Sequence, residues 1–429
     1  MILANGNVYH SSEQSHILTS LEEKLNQTRT MQTLRPEIVI NALDQMSRKM
    51  DEGMFNTLLT NDFLKASVSL AARMLRRDML EYKVKTELGE QFFIPCQSVP
   101  PNGFDRITIR PEPLGTIMHI AAGNMDVLPA YSVIEGLLTG NINLLKLPQA
   151  DQGLTITFFQ ELIIIEPLLR DYLYVFDTPS SDIEGMRQIA SCCDGIVLWG
   201  GEAAVKTVRQ LASPGCKLIE WGHRLGFAYI SGYTDKEKEL TALAKHIFTT
   251  KQLLCSSCQV IYLDTDQMED INLFCTEFLP YLEKAAQKYP ITEIGAVAEM
   301  TLHRYTDRLE YLMDDNADPD MLIYHGKGCS LTACTDSELE LSYMYGNCLV
   351  KRLPKREMLR VLRKSKGYLQ TAGLICTPKQ KEHLTNLLVC SGINRVLPPG
   401  KMSQVFPGEA HDGEYPLRRY TRIVNILHS

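Results

Sequence analysis

Two cysteines lie in the stretch where this chain carries its most reactive side chains. The sequence runs Lys251-Gln-Leu-Leu-Cys255-Ser-Ser-Cys258-Gln-Val-Ile-Tyr262, from a helical pattern into an apolar strand. A cysteine at such a junction can be partly exposed and close to backbone N–H groups that favour the thiolate, which a nucleophile needs. Two other interpretations are open at this point. Cys255 could be an ordinary buried cysteine, or Cys255 and Cys258 could form a redox couple or half of a metal site.

Two polar side chains upstream follow candidate strands. Asn124 ends the segment Gly115-Thr-Ile-Met-His-Ile-Ala-Ala-Gly-Asn124, and Lys146 lies near the end of the apolar stretch 142–147. Ligands of open α/β sheets bind at the carboxyl ends of the strands. The Asn124 amide could therefore donate to an oxyanion, and Lys146 could hold a hydroxyl or a phosphate. The alternatives are an asparagine in a turn and a solvated lysine.

A third segment, Trp199-Gly200-Gly201-Glu202, joins an apolar strand to a helical pattern. Free N–H groups and the dipole at a helix N-terminus attract anions, so this corner could bind a phosphate. A glycine pair after a strand is also common in tight turns, and the segment lacks the complete G-x-G-x-x-G pattern.

A fourth segment, Glu220-Trp-Gly222, separates two further candidate strands. A carboxylate near a nucleophilic cysteine can act as a general base or as a proton shuttle. The alternative is a surface glutamate in a turn.

These residues must be positioned by strands and helices that alternate along the chain. The region from about Ser20 to Lys85 is predicted to be helical, with a capping box of the form S-x-x-E at Ser20 to start it. Alternation after residue 110 indicates a parallel sheet with both faces covered. The predicted strands are 104–110, 115–121, 142–147, 173–176, 195–198, 217–220, 228–230 and 418–427, and the predicted helices are 133–138, 155–165, 202–211 and 236–248.

The composition is that of an ordinary globular enzyme. The chain has 429 residues, 45% of them hydrophobic and 22% charged, and this length favours two or three domains. A net charge of −7 argues against an electrostatic nucleic-acid partner. The lack of a long apolar run argues against a membrane span. Twelve scattered cysteines and the lack of a signal-like N-terminus favour reduced thiols in the cytoplasm.

In this order and spacing, the segments from residue 104 to 427 resemble the aldehyde dehydrogenase superfamily. Within it they are most similar to the LuxC-type acyl-CoA (fatty acid) reductases. The variants that resemble this branch are 119–124, 199–202 and Cys255-Ser-Ser-x-Gln259-Val-Ile. Glu220 corresponds to the superfamily's general base and lies 35 positions before Cys255, close to the usual separation.

The resemblance implies an α/β fold. It consists of a Rossmann-like cofactor domain, an α/β catalytic domain with the cysteine, and a small β extension that builds a homodimer or homotetramer. We expect a helical region over 1–103, the cofactor domain over 104–222, the catalytic domain over 223–400 and a tail over 401–429. The extension is expected to combine the strand 104–110 with the C-terminal strand.

The resemblance also implies NAD(P)H-dependent reduction of a fatty acyl-CoA, acyl-carrier or acyl-protein thioester to an aldehyde, through an acyl thioester on a cysteine. Cys255 would be the nucleophile, Asn124 the oxyanion donor and Glu220 a base or proton shuttle. The expected cofactor-binding residues are Lys146, Gln149, Trp199, Gly200, Gly201 and Gly222. No metal is expected, and an acyl-protein synthetase is a possible partner. Alternatives are an aldehyde dehydrogenase working in the oxidative direction and a catalytically idle, partner-binding subunit.

The sequence departs from the family patterns at three positions. Cys258 stands where this branch usually has proline, so the C-x-x-C pair is interpreted as coincidental. Residues 343–346 read Tyr-Met-Tyr-Gly, where many aldehyde dehydrogenases have a glutamate that contacts the cofactor ribose. Gln149 stands where NAD-preferring relatives carry an acidic residue. Because a neutral side chain would not repel a 2′-phosphate, NADPH is the expected cofactor, with NADH also possible.

Overall fold

The computed structural model describes residues 1–31, 34–59, 62–101, 105–121, 128–148, 151, 153–313 and 321–428. The chain divides into two compact units, residues 1–222 with 406–429 (unit 1) and residues 223–405 (unit 2). Within the described ranges, no helix has both the length and the apolar character needed to cross a bilayer.

Strands and helices alternate along most of the chain. The strands are β1 (Ile2–Ala4), β2 (Asn7–Tyr9), β3 (Cys96–Ser98), β4 (Arg106–Pro113), β5 (Thr116–Ile120), β6 (Ile142–Lys146), β7 (Leu173–Phe176), β8 (Gly195–Trp199), β9 (Lys217–Trp221), β10 (Leu225–Ile230), β11 (Cys258–Leu263), β12 (Leu322–Gly326), β13 (Cys329–Ala333), β14 (Asn347–Arg352), β15 (Leu369–Ile375), β16 (Arg395–Leu397) and β17 (Thr421–His428). The helices are α1 (Gln14–Thr30), α2 (Pro36–Asp51), α3 (Asp62–Met74), α4 (Arg77–Leu88), α5 (Leu128–Leu138), α6 (Leu154–Ile165), α7 (Ile183–Ser191), α8 (Glu202–Leu211), α9 (Lys236–Thr250), α10 (Met268–Lys288), α11 (Ile294–Met313), α12 (Met358–Leu362), α13 (Pro378–Ser391) and α14 (Pro416–Arg419).

Unit 1 is built on a sheet with the strand order β2-β1-β7-β6-β5-β8-β9. Strands β5 to β9 are parallel, and β1 joins antiparallel to β7. Nearly every residue of β5, β6 and β7 is buried, as expected for a parallel sheet that is covered on both faces. The α/β fold predicted from the sequence is confirmed.

The N-terminal region differs from the prediction at two points. Its first residues form β1 and β2, whereas a helical region was expected over 1–103. Helix α1 begins at Gln14, so the capping box predicted at Ser20 is wrong. The capping box lies at His10 instead, where the backbone N–H of His10 donates to the Glu13 carboxylate at 2.9 Å. Ser20 lies within α1, where its hydroxyl donates to the Ile17 carbonyl at 3.4 Å.

Unit 2 has a sheet of its own, with the strand order β12-β13-β14-β11-β10-β15-β16. All its neighbours are parallel except β12 and β13. The central strands β10 and β11 are buried at every residue. A loop between α9 and β11 carries Cys255, so the candidate nucleophile lies where a helix ends and a buried strand begins.

A small third sheet combines β3, β4 and β17. Strand β17 runs antiparallel to β4 along its whole length, from Thr421 opposite Pro113 to His428 opposite Arg106. The resemblance led us to expect that these two segments combine, and they pair here within the chain. Tyr420, just before β17, is fully buried and accepts a hydrogen bond at its carbonyl from the Asn141 side chain at 2.9 Å. The C-terminal segment is therefore part of the core of unit 1.

Candidate active site

The carboxyl edge of the unit 1 sheet collects several of the predicted site residues. Strands β5 to β9 are parallel and therefore end at the same edge. Chain order reverses between β5 and β8, because β6 and β7 extend the sheet to one side of β5 while β8 and β9 extend it to the other. Such a reversal opens a crevice at the carboxyl edge in which open α/β sheets bind their ligands. The sheet therefore predicts a ligand crevice beside the ends of β5 and β8.

Lys146 ends β6 at this edge. Its side chain is largely buried, and its Nζ donates to Ser180 Oγ at 3.0 Å. Burial lowers the pKa of the Lys146 ammonium from its usual value. Ser180 follows β7, the neighbouring strand, so two hydrogen-bonding groups from adjacent strands meet here. This pair can hold hydroxyl or phosphate oxygens. Gln149, the other residue predicted in this segment, lies outside the described residues.

Trp199 ends β8, and its indole is held on two sides. Its Nε1 donates to Ser132 Oγ at 3.1 Å, and the rings of Trp221 and His411 lie 5.6 and 4.8 Å away between centroids. His411 comes from the C-terminal segment and also contacts the Trp221 ring at 4.9 Å. His411 was not predicted from the sequence, because it follows Trp199 by more than 200 positions and matches no pattern.

Gly200 and Gly201 lead from β8 into α8, and each has a different role. The N–H of Gly200 donates to the Trp221 carbonyl at 3.2 Å, and a Cβ at Gly200 would come within 3.1 Å of Ala204 Cβ. Gly201 is the N-cap of α8, and among the described residues none comes within 4 Å of the position of an added Cβ. There is thus open space beside Gly201 at the N-terminus of α8, where the first N–H groups of a helix have no partner within the helix.

Glu220 lies on β9 and has a partner that the sequence did not reveal. Arg209, on α8, donates from Nε to Glu220 Oε1 at 2.7 Å and from Nη2 to Oε2 at 2.8 Å. Both carboxylate oxygens are therefore engaged by one guanidinium, the favoured bidentate geometry. A general base needs a free oxygen lone pair directed at the proton it removes. Gly222, the last predicted residue of this segment, follows β9 directly and ends the first of the two segments that form unit 1.

Cys255 and Cys258 have opposite environments in unit 2. Cys255 is exposed, on the loop of residues 251–257 that we call the Cys255 loop. Cys258 begins β11 with no exposed surface, and its thiol lies 3.4 Å from the Val260 carbonyl. Burial raises the pKa of the Cys258 thiol to about 12, so this thiol stays protonated and inert at neutral pH. In the described part of the chain, no cluster of three or more potential metal ligands is present.

Hydrogen bonds fix the Cys255 loop on both sides of the cysteine. The Ser257 N–H donates to the Leu254 carbonyl at 2.9 Å, and the Leu254 N–H donates to Ser257 Oγ at 3.0 Å. Ser256 Oγ lies 2.7 Å from Ser403 Oγ. Ser257 is buried, whereas Cys255 between these anchors is exposed. The loop thus presents one thiol on a fixed backbone.

A buried amide network next to the loop was not predicted from the sequence. The side chains of Gln252 and Gln259, which are 1% and 3% exposed, both contact Ser342. The only signal in the sequence was a glutamine inside the apolar strand β11. Asn124, the predicted oxyanion donor, lies outside the described residues.

Comparison with known proteins establishes the family. The sequence profile of the acyl-CoA reductase (LuxC) family matches residues 33–423. The chain belongs to this family. Among LuxC-family relatives, the long-chain acyl-protein thioester reductase of Photorhabdus luminescens is 24% identical over 363 residues, covering 80% of this chain and 69% of that protein. The Vibrio harveyi protein of the same name is 23% identical over 323 residues, covering 74% and 65%.

A third LuxC-family relative, long-chain acyl-protein thioester reductase 2 of Photobacterium leiognathi, is 26% identical over 179 residues. That match covers 41% of this chain and 37% of the relative. The chain therefore spans between about a third and two thirds of the length of these curated relatives.

Solved structures show that this LuxC-family chain has the aldehyde dehydrogenase fold. The NADP-dependent glyceraldehyde-3-phosphate dehydrogenase of Bacillus halodurans C-125, complexed with NADP, superposes with a TM-score of 0.73 at 12% identity. The match covers all of this chain and 98% of that one. A lactaldehyde dehydrogenase superposes with a TM-score of 0.70 at 13% identity, covering all of this chain and 95% of that one. The predicted LuxC branch is confirmed by the family match, and the predicted aldehyde dehydrogenase fold by the solved structures.

Proposed function

We propose that this chain reduces a fatty acyl thioester to the aldehyde with a nicotinamide cofactor. The observation that carries the proposal is Cys255, an exposed thiol on a fixed loop in a LuxC-family chain. The neighbouring Cys258 is buried and protonated, which supports a single nucleophile and disfavours the redox or metal interpretation. Relatives named acyl-protein thioester reductases support the same class of reaction.

The first step is acyl transfer to Cys255. The thiolate attacks the carbonyl carbon of the thioester and forms a new C–S bond, and the carbonyl oxygen becomes an oxyanion. The Asn124 amide and the Cys255 backbone N–H donate to that oxyanion, where such donors are most effective. The oxyanion then collapses, the bond to the donor thiol breaks, and the thiolate that leaves takes up a proton. Cys255 now carries the acyl group as a thioester.

The second step is reduction of that enzyme-bound thioester. A nicotinamide cofactor, when bound, supplies the hydride that reduces the acyl carbon. The Lys146–Ser180 pair and the open corner at Gly201 fit the ribose hydroxyls and phosphates of such a molecule. Trp199, Gly200 and Gly222 lie along the same sheet edge. When the acyl carbon has been reduced, its bond to Cys255 breaks, the aldehyde leaves and the thiolate is restored.

NADPH is the proposed cofactor, with NADH a second possibility. Gln149, three positions after Lys146, is neutral. Its side chain would therefore not repel the 2′-phosphate of NADPH. The positive charge of Lys146 itself favours an anionic group nearby.

Glu220 is proposed to fix Arg209 and α8, with no role in activating water. A reductase of thioesters must avoid hydrolysing its own acyl-enzyme. A carboxylate held at both oxygens by a guanidinium, at 2.7 and 2.8 Å, is poorly suited to that hydrolysis. The same ion pair disfavours the oxidative aldehyde dehydrogenase alternative, in which a base must activate water to release the acid.

The proposed substrate is acyl-CoA, an acyl-carrier thioester or an acylated protein, with an acyl-protein synthetase as a possible partner. The relatives' names support an acyl-protein donor. We propose a homodimer or homotetramer built through β17, which carries exposed Ile423 and Leu427. The cytoplasm is the proposed compartment, because all twelve cysteines are free thiols.

Intact-mass measurement after incubation with a panel of acyl-CoAs, without cofactor, tests the proposal. We expect one acyl adduct on the wild-type chain and none on Cys255→Ala. NADPH added afterwards should remove the adduct and release an aldehyde. A catalytically idle subunit would form no adduct with any donor, and an oxidative enzyme would instead consume aldehyde with NADP⁺ in the absence of CoA.

A further inference from the structure

Backbone strain in unit 2 is concentrated in two loops. Among the described residues, non-glycine positions with positive φ include Lys251 at 52° and Gln252 at 61°, just before Cys255. Met344 at 54° and Tyr345 at 49° are a second such pair. Side chains make the left-handed region unfavourable for L-amino acids. Residues held there against that preference cluster at functional sites, where the surrounding structure fixes them.

The Gln252 side chain connects these two loops. Its Nε2 donates to the Cys258 carbonyl at 2.9 Å and to Ser342 Oγ at 3.0 Å. Its Oε1 accepts from the backbone N–H of Gly346 at 3.0 Å. Since the side chain is only 1% exposed, these partners replace water completely. One carboxamide thus bonds to both ends of the segment that contains Met344 and Tyr345, and to the first residue of β11.

Gln259 and the backbone complete the connection. Gln259 Nε2 donates to the Gln252 carbonyl at 2.7 Å, and its Oε1 accepts from Ser342 N and Oγ at 3.2 and 2.8 Å. The Tyr345 N–H donates to the Lys251 carbonyl at 3.1 Å. Buried amides with both N and O satisfied specify one arrangement, because any shift would leave a polar atom unpaired.

We propose that Gln252 is a positioning residue for Cys255: its buried carboxamide holds the Cys255 loop in its left-handed turn and ties it to residues 342–346. The inference rests on the proposed function, in which Cys255 attacks a thioester. Attack on a carbonyl requires a defined approach, and a displacement of about 1 Å can slow such a reaction about 10²-fold. The network fixes the backbone on both sides of the thiol while leaving the thiol exposed.

The test compares two reactions of the same thiol in the Gln252→Met variant, which keeps the size of the side chain without its hydrogen bonds. Acylation by acyl-CoA requires an oriented attack, whereas alkylation by iodoacetamide, followed on the Cys255 peptide, requires little orientation. We expect acylation to slow by about 10- to 100-fold and alkylation to change less than about threefold. Ser391→Ala is the control, because it removes a buried hydroxyl on α13 that donates to the Leu387 carbonyl at 2.8 Å. It should leave both rates unchanged.

Acylation within threefold of wild type, or an equal loss in both reactions, would overturn the proposal. If Gln252→Met does not fold, the two rates are compared in Ser342→Ala instead. This variant removes one hydrogen-bond partner of Gln252 and one of Gln259. A wild-type chain that is alkylated but never acylated refutes the proposed function alone. In that case hydrogen–deuterium exchange tests the connection between the two loops. Faster exchange of the variant in both 251–258 and 342–347 supports the connection, and faster exchange in one segment or in neither overturns it.

Discussion

Arg209 binds both carboxylate oxygens of Glu220, with distances of 2.7 and 2.8 Å. The resemblance led us to expect Glu220 at the position of the superfamily's general base, so this ion pair bears on how the proposed reaction would avoid hydrolysis of its acyl-enzyme. In the proposed reaction the acyl-enzyme must persist until hydride transfer, so it must not be hydrolysed by activated water first. A Glu220 carboxylate bound at both oxygens by Arg209 is poorly placed to activate water and so satisfies this requirement.

The role of Glu220 can be tested with two matched variants, Glu220→Gln and Arg209→Gln. Since the Arg209 side chain is 61% exposed, we expect each change to cost less than about 1 kcal/mol of unfolding free energy. Both variants should acylate and reduce within about threefold of wild type. Loss of a general base typically slows turnover by about 10²–10⁴-fold. Single-turnover rates that fall this far in Glu220→Gln, but not in Arg209→Gln, would restore the catalytic role.

The two cysteines of the C-x-x-C pair should respond differently to substitution. Cys255→Ala should abolish acyl transfer, because the nucleophile is lost. Cys258→Ala should retain most of it and lower the unfolding free energy by about 1 kcal/mol, because a buried side chain is shortened. Acyl-adduct mass and melting curves measure both effects. Equal loss of acyl transfer in the two variants would point to a metal or redox pair instead.

Asn124→Ala separates an oxyanion donor from a turn residue. If the amide donates to the oxyanion, its loss should slow acylation of Cys255 by about 10²–10³-fold, or about 3–4 kcal/mol, with little change in melting temperature or NADPH binding. If Asn124 only shapes a turn, stability should fall by about 1 kcal/mol while acylation stays nearly intact. Single-turnover acylation, run beside a melting curve, distinguishes the two. The second result would weaken the case for the superfamily mechanism.

Cofactor preference should depend on the charge at position 149. The wild-type chain should use NADPH at least as well as NADH, and Gln149→Glu should shift preference toward NADH, because a carboxylate repels the 2′-phosphate. The measurement is the ratio of kcat/KM for the two cofactors in each protein. Strong selectivity of the wild type for NADH would contradict this interpretation of Gln149.

Stability should fall in mild acid because of a buried histidine. His119 has no exposed surface, lies 2.8 Å from Ser132 Oγ and 2.9 Å from Asn143 Oδ1, and packs edge-on against the Tyr420 ring. Burial lowers the pKa of His119 to about 4. Between pH 6.5 and 4, His119 is protonated in the unfolded chain but stays neutral in the folded chain. The folded state therefore loses stability as the pH falls from 6.5 to 4, by on the order of 3 kcal/mol.

Urea unfolding at pH 7, 5.5 and 4.5 measures this loss. His119→Gln should be less stable than wild type at pH 7, yet lose less stability on acidification. His246, whose pKa burial also lowers to about 4, should contribute a similar dependence that persists in this variant. His383→Gln, at an exposed position on α13, is the control and should leave the acid dependence unchanged. An unchanged dependence in His119→Gln would contradict the assignment.

The sequence by itself determined the fold class, the family and most of the regular elements of unit 1, but few of those in unit 2. The buried strands of unit 1 were predicted within one or two residues, because a strand covered on both faces must be apolar throughout and is bounded by glycine or polar residues. Helix 202–211 was predicted at its observed bounds. Segments 104–110 and 418–427, which contribute to β4 and β17, were also predicted to be strands. These features depend on local patterns, which a sequence contains directly.

Tertiary structure alone decided which side chains meet. Arg209 binds Glu220, His411 packs on Trp199, and Gln252 reaches Gly346, although 94 positions separate the last two along the chain. A hydrogen bond between distant residues depends on how strands and loops assemble, and no local pattern encodes it. The same holds for Cys255 and Cys258, three positions apart: the start of β11 buries one thiol in the core while the preceding loop leaves the other exposed. Burial, which separates an inert thiol from a candidate nucleophile, is a property of the assembled fold.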